Sequence, residues 1–496
     1  MKSSRRATVT APVGLRNHIA GRWHTGSGER FVSTSPTYPD EVIAHGHNAT
    51  HAELDAAVAA ARAAAHDWAR TQAHERGAIL LRAAAAVDAA ADRWGSELAR
   101  EEGKPVAEAI GEVRRAAQIL RYYGVEGDRP SGESYHSPRP GERILVTRKA
   151  LGVVAVITPF NFPIAIPAWK IAPALALGNT VVWKPAEAVP LLAMRLMTAL
   201  ADAGLPAGVC NLVLGDRELG ACLVEHRDIN GVTFTGSTSV GRAIAASAAG
   251  RGIPVQAEMG GKNAAVVLDD ADLGTAVDQV LAGAFRSAGQ KCTATSRLVV
   301  TPGIADALLD ELVARLGAWA VGDPLDQHVR IGPVVDRAAQ ASILAGIRGA
   351  LDQNARVLFG GQPYVSGFRQ AGCFVPPTIL ELEDTTAQVW RTELFGPVLA
   401  VHRAENSDHA FMLAADSEFG LSAAIFTNDL SRALGAVDDL DVGILHINSE
   451  SAGADPHVPF GGAKASGYGP KEQGRAAVEF FTHPTTVYLR GGRSDR

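Results

Sequence analysis

The chain has 496 residues, 47% of them hydrophobic and 20% charged, with a formal net charge of −6. Such a balance fits a soluble globular protein with more chain than one core holds, and it excludes a general nucleic-acid binder, which needs a basic surface. Four scattered cysteines (Cys210, Cys222, Cys292 and Cys373) show neither a CxxC pair nor zinc spacing, so no metal site and no disulfide framework is expected, and a cytoplasmic setting is.

Residues 1 to about 16 read as a flexible tail. The basic residues Lys2, Arg5 and Arg6 are not followed by the apolar stretch of a signal peptide, and no run of about 18 apolar residues appears to span a membrane. Leu54–Trp68, Glu75–Glu101 and Val106–Tyr122 are rich in Ala and Leu at helical spacing and predict a helical layer. Residues 127–142, polar and full of Pro, Gly and Ser, predict an exposed excursion. From Leu151 the texture alternates: strands at Leu151–Ile157, Thr180–Trp183, Cys210–Val213 and Gly231–Phe234, helices near Ile164–Leu177 and Pro190–Ala203. That order predicts a parallel sheet covered by helices on both faces. A second βα series runs from Asn263–Leu268 past Asn448, so two α/β domains are expected to meet near Glu258–Lys262.

Four segments carry candidate chemistry. Cys292 follows Gly289-Gln290-Lys291 in a polar turn; a free cysteine is more often a small buried hydrophobe, but cationic or helix-dipole surroundings lower a thiol's pKa and make it a nucleophile. The other three cysteines sit in apolar contexts and read as structural. Glu258 precedes Gly260-Gly261, either as a plain strand end or as a general base beside a cleft. Thr158-Pro159-Phe160-Asn161-Phe162-Pro163 follows a strand, as a turn or as the site of an amide donor for an oxyanion. Thr235-Gly236-Ser237-Thr238-Ser239-Val240-Gly241 opens a helix, as an N-cap or as a phosphate site.

Their joint order is more specific than any one of them. TPFNFP at 158–163, KPAE at 184–187, FTGSTSVG at 234–241, EMGGK at 258–262, GQKC at 289–292, ELFGP at 393–397 and PFGGAKASGYG at 459–469 resemble the aldehyde dehydrogenase superfamily from about residue 17 to 492. The resemblance implies a Rossmann-like dinucleotide-binding domain (17–126 and 149–258), an α/β catalytic domain (259–474) and a small β oligomerisation arm (127–148 and 475–494) that makes a homodimer or homotetramer. It implies Cys292 as the nucleophile, Asn161 and the Cys292 N–H as the oxyanion hole, Glu258 as the deacylating base and Lys170 as a proton relay. NAD, with NADP as a further possibility, would lie against Ile157, Thr158 and Pro159. Lys184 and Glu187 would hold its adenosine ribose, Gly236, Ser237 and Gly241 its pyrophosphate, and Glu393 and Phe395 its nicotinamide end.

Two longer stretches, 158–187 and 457–482, further resemble 2,5-dioxopentanoate (α-ketoglutaric semialdehyde) dehydrogenases. Phe162 and Trp169 would then line the substrate tunnel. Arg286 departs from that group, which tends to carry an aromatic there. An arginine six residues before the nucleophile resembles succinic semialdehyde dehydrogenases, where it grips the distal carboxylate, so Arg286 is expected in the tunnel wall as a poorly hydrated cation in need of an anion. The second arginine of that clamp falls at Trp169. A broad-specificity enzyme, an inactive structural homologue, a thiol hydrolase and a coenzyme A-acylating enzyme remain as alternatives. Retention of Cys292, Glu258 and Asn161 together disfavours the inactive homologue.

Overall fold

The computed structural model describes residues 11–491. The first ten residues of the expected tail, and 492–494 of the expected arm, lie outside the described residues. The remainder of that tail is not loose: Val13 and Gly14 pair in parallel with Ala44 and His45, and Leu15 is buried. A stretch too short to show periodicity is thus fixed by a neighbouring strand.

The helical layer begins at His51–Arg70, capped by Thr50 and Glu53 in a reciprocal capping box. The single helix expected over 75–101 is two, Ala73–Ala89 and Ala91–Glu102, parting at Ala90 without a Gly or Pro to mark the break. The second segment packs close against Ile110 of the Val106–Gly124 helix, because Gly95 offers no Cβ to hold it off.

Five strands, Val153–Ile157, Thr180–Lys184, Cys210–Leu212, Gly231–Thr235 and Val255–Glu258, run parallel at the centre of an eight-stranded sheet. They are buried almost throughout, as β-branched runs covered on both faces should be. The chain lays the first three side by side, then returns to the other edge of Val153–Ile157 for the last two. The order reverses between Val153–Ile157 and Gly231–Thr235, and at such a reversal a crevice opens beyond the carboxyl ends of the strands.

The backbone then crosses through Met259–Lys262 into a seven-stranded sheet centred on Asn263–Val267 and Thr295–Val300, which has its own core. A third, antiparallel sheet joins Gly132–His136 and Glu142–Ala150 to Thr482–Arg490, bringing the polar excursion and the carboxyl-terminal segment together. Late sequence also returns to the first layer. Gly467 and Tyr468 pair with Glu258 and Ala257, and Phe460, Ala477, Phe480 and Phe481 complete a core otherwise built mainly from residues 15–214. This is the α/β architecture with two open sheets and a small β appendage. Among the described residues no helix is long and apolar enough to cross a membrane, and no group of three or more His, Cys, Asp or Glu is placed to hold a metal ion.

Candidate active site

Cys292 stands on a strained turn. The Leu273–Phe285 helix ends at Arg286, and the next three residues are all left-handed: Ser287 (φ 52°), Ala288 (φ 51°) and Gly289 (φ 69°). Two of these are not glycine, a conformation that persists only where the surroundings over-determine it. Here they do. The Ser287 hydroxyl donates to Glu108 at 2.7 Å. A side chain at Gly289 would strike the Gly396 carbonyl. The Asn263 amide donates to the carbonyls of Cys292 (2.7 Å) and Ala294 (2.9 Å). Among the described residues the Cys292 N–H donates to no protein acceptor, so it is free to meet an oxyanion.

Lys291 does not acidify the thiol. Its buried ammonium is committed to the Ala282 carbonyl (3.1 Å) and the Glu450 carboxylate (3.5 Å). Burial, with the charges of Glu393 and Glu258, pushes the Cys292 thiol up to about 12. The expected lowered pKa is therefore corrected: adjacent side chains on a turn face different surroundings, and the thiol's are apolar and acidic. Of the remaining cysteines, Cys210 and Cys373 are buried as expected, but Cys222 is only half-buried, with its sulfur 3.5 Å from His51.

Glu258 ends its strand inside the protein. One carboxylate oxygen accepts from the Gly462 N–H at 2.9 Å, and a Cβ at Gly461 would run into the other. Gly461 therefore lies against this carboxyl because it has no side chain. Burial first, then the nearby Glu472, holds Glu258 well above the usual carboxylate range. Lys170, fully buried, pairs with Glu472 and donates to the Thr233 hydroxyl at 2.9 Å, which places a cation and a second carboxyl near Glu258.

Asn161 is buried, and its amide donates to the Gln290 carbonyl at 2.9 Å, tying it to the nucleophile turn and leaving one amide hydrogen for another acceptor. Its own carbonyl accepts from Lys104 at 2.6 Å; Lys104 pairs with Glu112, also at 2.6 Å, and Glu112 accepts from the N–H groups of Ile164 and Ala165. Cys292, Phe162, Trp169 and Phe460 share a cavity of about 310 Å³, with Trp169 and Phe460 packed at 5.3 Å between ring centroids.

Arg286 also lines that cavity, but it is not a lone, dehydrated cation. It already has a carboxylate, Glu450 at 3.2 Å, and its side chain is 48% exposed. Sequence spacing could not show a partner 164 positions away.

Several of the residues expected to hold the cofactor lie at the carboxyl ends of the parallel strands. Ile157 and Lys184 are register partners at the carboxyl ends of adjacent strands. Thr158 is buried and accepts from Trp183 at 2.9 Å. The Lys184 ammonium, nearly buried, has a single carbonyl partner, Pro185 at 3.1 Å, and burial lowers its pKa against the charges of Glu187 and Asp216; Glu187 is exposed. Gly236 and Ser237 precede the Thr238–Arg251 helix, and Ser237 caps none of its N–H groups with its side chain. Gly241 is buried where a Cβ would strike Met259. Glu393 accepts from the Gly261 N–H at 3.0 Å, burial pushes its carboxyl up to about 7, and Gly260 must lack a side chain to pass it. Phe395, left-handed at φ 54°, meets Phe160 edge-on at 5.7 Å. Uncapped N–H groups at a helix start, a buried ammonium and two carboxylates suit a pyrophosphate and ribose hydroxyls.

Sequence reasoning missed Glu472, Glu450, Lys104, Glu112 and Arg115. Glu472 carried a faint signal, an acid in the polar run Pro470-Lys471-Glu472-Gln473. Glu108, Glu112 and Arg115 carried a better one: they repeat at helical spacing along a helix that was read only for its apolar face.

A half-buried thiol, a buried carboxyl and a buried amide donor thus lie where the two open sheets join. The aldehyde dehydrogenase family model matches residues 23–487, and the chain belongs to that family. It is 40% identical to an α-ketoglutaric semialdehyde dehydrogenase of Bacillus subtilis, over 98% of this chain and 100% of the relative. It is 38% identical to a 2,5-dioxopentanoate dehydrogenase of Saccharolobus solfataricus, over 95% and 98%. Betaine aldehyde dehydrogenase of Staphylococcus aureus, solved in complex with NAD+, superposes with a TM-score of 0.93 at 30% identity, covering 97% of this chain and 95% of that one.

Proposed function

We propose that the protein oxidises an acidic semialdehyde, of the α-ketoglutaric type, to its carboxylic acid with NAD. The observation that carries the reading is the placement of the Cys292 thiol on the cavity shared with Phe162, Trp169 and Arg286, with Glu258 buried nearby. Glu258 takes the Cys292 thiol proton and passes it on to Lys170 and Glu472, the thiolate adds to the aldehyde carbon, and the oxyanion that forms is received by the Cys292 N–H and the Asn161 amide. Bound NAD supplies the acceptor for the hydride that this carbon gives up. The carbon is then a thioester on Cys292; Glu258 takes a proton from water, the hydroxide adds, and the acid leaves as the C–S bond breaks. Lys170 and Glu472 carry the proton onward. Glu187 and Lys184 hold the adenosine ribose, and Glu393 the ribose of the nicotinamide. Residues 17–126 and 149–258 form the dinucleotide-binding domain, 259–474 the catalytic domain, and the three-stranded sheet the arm of a homodimer or homotetramer.

An absorbance trace for NADH across neutral aldehydes and ω-carboxy semialdehydes tests the reading; equal kcat/KM for both classes would remove the acidic substrate from it. The exposed Glu187 carboxylate accepts from ribose hydroxyls and repels a 2′-phosphate, so kcat/KM is expected to be higher with NAD than with NADP. The reverse ranking would overturn the assignment of Glu187.

Arg286→Leu is expected to weaken kcat/KM for α-ketoglutaric semialdehyde by about 1 kcal/mol, the scale of a half-exposed ion pair, since Glu450 already neutralises part of the guanidinium. Pentanal should be affected much less. Equal losses on the two substrates would make Arg286 structural.

A further inference from the structure

The Val106–Gly124 helix presents Glu108, Gly111, Glu112 and Arg115 to the cavity, a spacing of i, i+3, i+4 and i+7 that puts them on one face. Glu108 is committed to Ser287, and Glu112 to Lys104 and two backbone N–H groups. Arg115 is held more loosely, by Gln118 at 3.1 Å and by Asp455 at 3.0 Å, whose side chain is 58% exposed. Beside it, one turn back, a Cβ on Gly111 would meet nothing within 4 Å, so the space in front of this helix face is open. Arg286 and Lys291 line the same cavity and share a single carboxylate, Glu450. The cavity therefore combines apolar walls (Phe162, Ile166, Trp169 and Phe460) with two guanidinium groups, Arg115 and Arg286, each paired with a carboxylate that is itself partly exposed, Asp455 and Glu450.

From this arrangement we propose that Arg115 is a specificity-determining residue, taking the distal carboxylate of the substrate together with Arg286. The proposal rests on the acidic-semialdehyde reading above and supplies the second cation that the Trp169 position lacks. On binding, the substrate carboxylate replaces Asp455 on the Arg115 guanidinium. An exposed ion pair contributes little, so its exchange costs little. The new pair is formed in a partly enclosed site, where a planar guanidinium can hold both oxygens of a carboxylate. Asp455 is a stand-in that keeps Arg115 paired while the cavity lacks substrate.

The experiment compares Arg115→Leu and Asp455→Asn in the full-length enzyme, with α-ketoglutaric semialdehyde and pentanal as substrates. Arg115→Leu is expected to lower kcat/KM for the semialdehyde about five- to tenfold, mainly through KM, and to leave pentanal within about twofold. Asp455→Asn is expected to move the semialdehyde the other way, raising kcat/KM about two- to threefold by removing the competing carboxylate. Equal losses on both substrates in Arg115→Leu, or a fall for the semialdehyde in Asp455→Asn, would overturn the proposal while leaving the acidic-substrate reading intact. A parental enzyme with no preference for the semialdehyde would overturn that reading, and this proposal with it.

Discussion

Cys292→Ala is expected to abolish aldehyde oxidation while NAD binding stays close to the parental value. Without the sulfur there is no adduct from which hydride can leave and no thioester for water to hydrolyse. The crevice proposed for the dinucleotide, where the strand order of the eight-stranded sheet reverses, does not depend on the Cys292 side chain. The turn that carries it is fixed by Ser287, Gly289 and Asn263, so alanine is expected to sit where cysteine does. NADH formation and a binding titration with NAD check the two halves separately. Near-parental turnover would end the covalent mechanism, and a joint loss of activity and NAD binding would point to a collapsed site.

The second large effect belongs to Glu258. Glu258→Gln is expected to lower turnover by roughly 10²–10⁴, the scale of a positioned acid–base group. Thioester hydrolysis should then be slow, so an acyl adduct on Cys292 should accumulate and be seen by mass spectrometry of quenched enzyme. The pH profile gives an independent check. A base must be unprotonated to work, and burial beside Glu472 raises the Glu258 pKa. Activity is therefore expected to fall as pH drops through a range well above that of an ordinary glutamate, and that limb should vanish in the glutamine variant. A wild-type rate with unmodified protein would remove Glu258 from the role.

The residues named from short motifs are those whose position depends on a local event: a strand ending, a glycine pair, a helix starting. Asn161, Glu258 and Gly236 lie at such points, at or just past the ends of strands of the eight-stranded sheet, while Cys292 follows the turn that ends the Leu273–Phe285 helix. What could not be read depends on distant chain. Glu450, which occupies Arg286, and Glu472, which pairs with Lys170, lie 164 and 302 residues further on. The acidity expected of Cys292 failed for a like reason: Lys291 is adjacent in sequence, but burial by distant chain, and then Glu393 and Glu258, act on the thiol. The break at Ala90 was invisible because an Ala-rich periodicity runs through it unchanged.

The return of late sequence to the first core has a consequence for how the chain is made. Phe460, Ala477, Phe480 and Phe481 close a hydrophobic layer whose other members are mostly residues 15–214, and the Asn179 amide donates to the Phe481 carbonyl at 2.9 Å. At about 5–20 residues per second, a ribosome delivers those last pieces roughly 10 to 45 seconds after the strand ending at Glu258. During that interval the nascent amino-terminal half has an apolar face with nothing to cover it, while the seven-stranded sheet can assemble from contiguous chain. Birth order and folding order therefore diverge, and the first half synthesised is the last to be sealed.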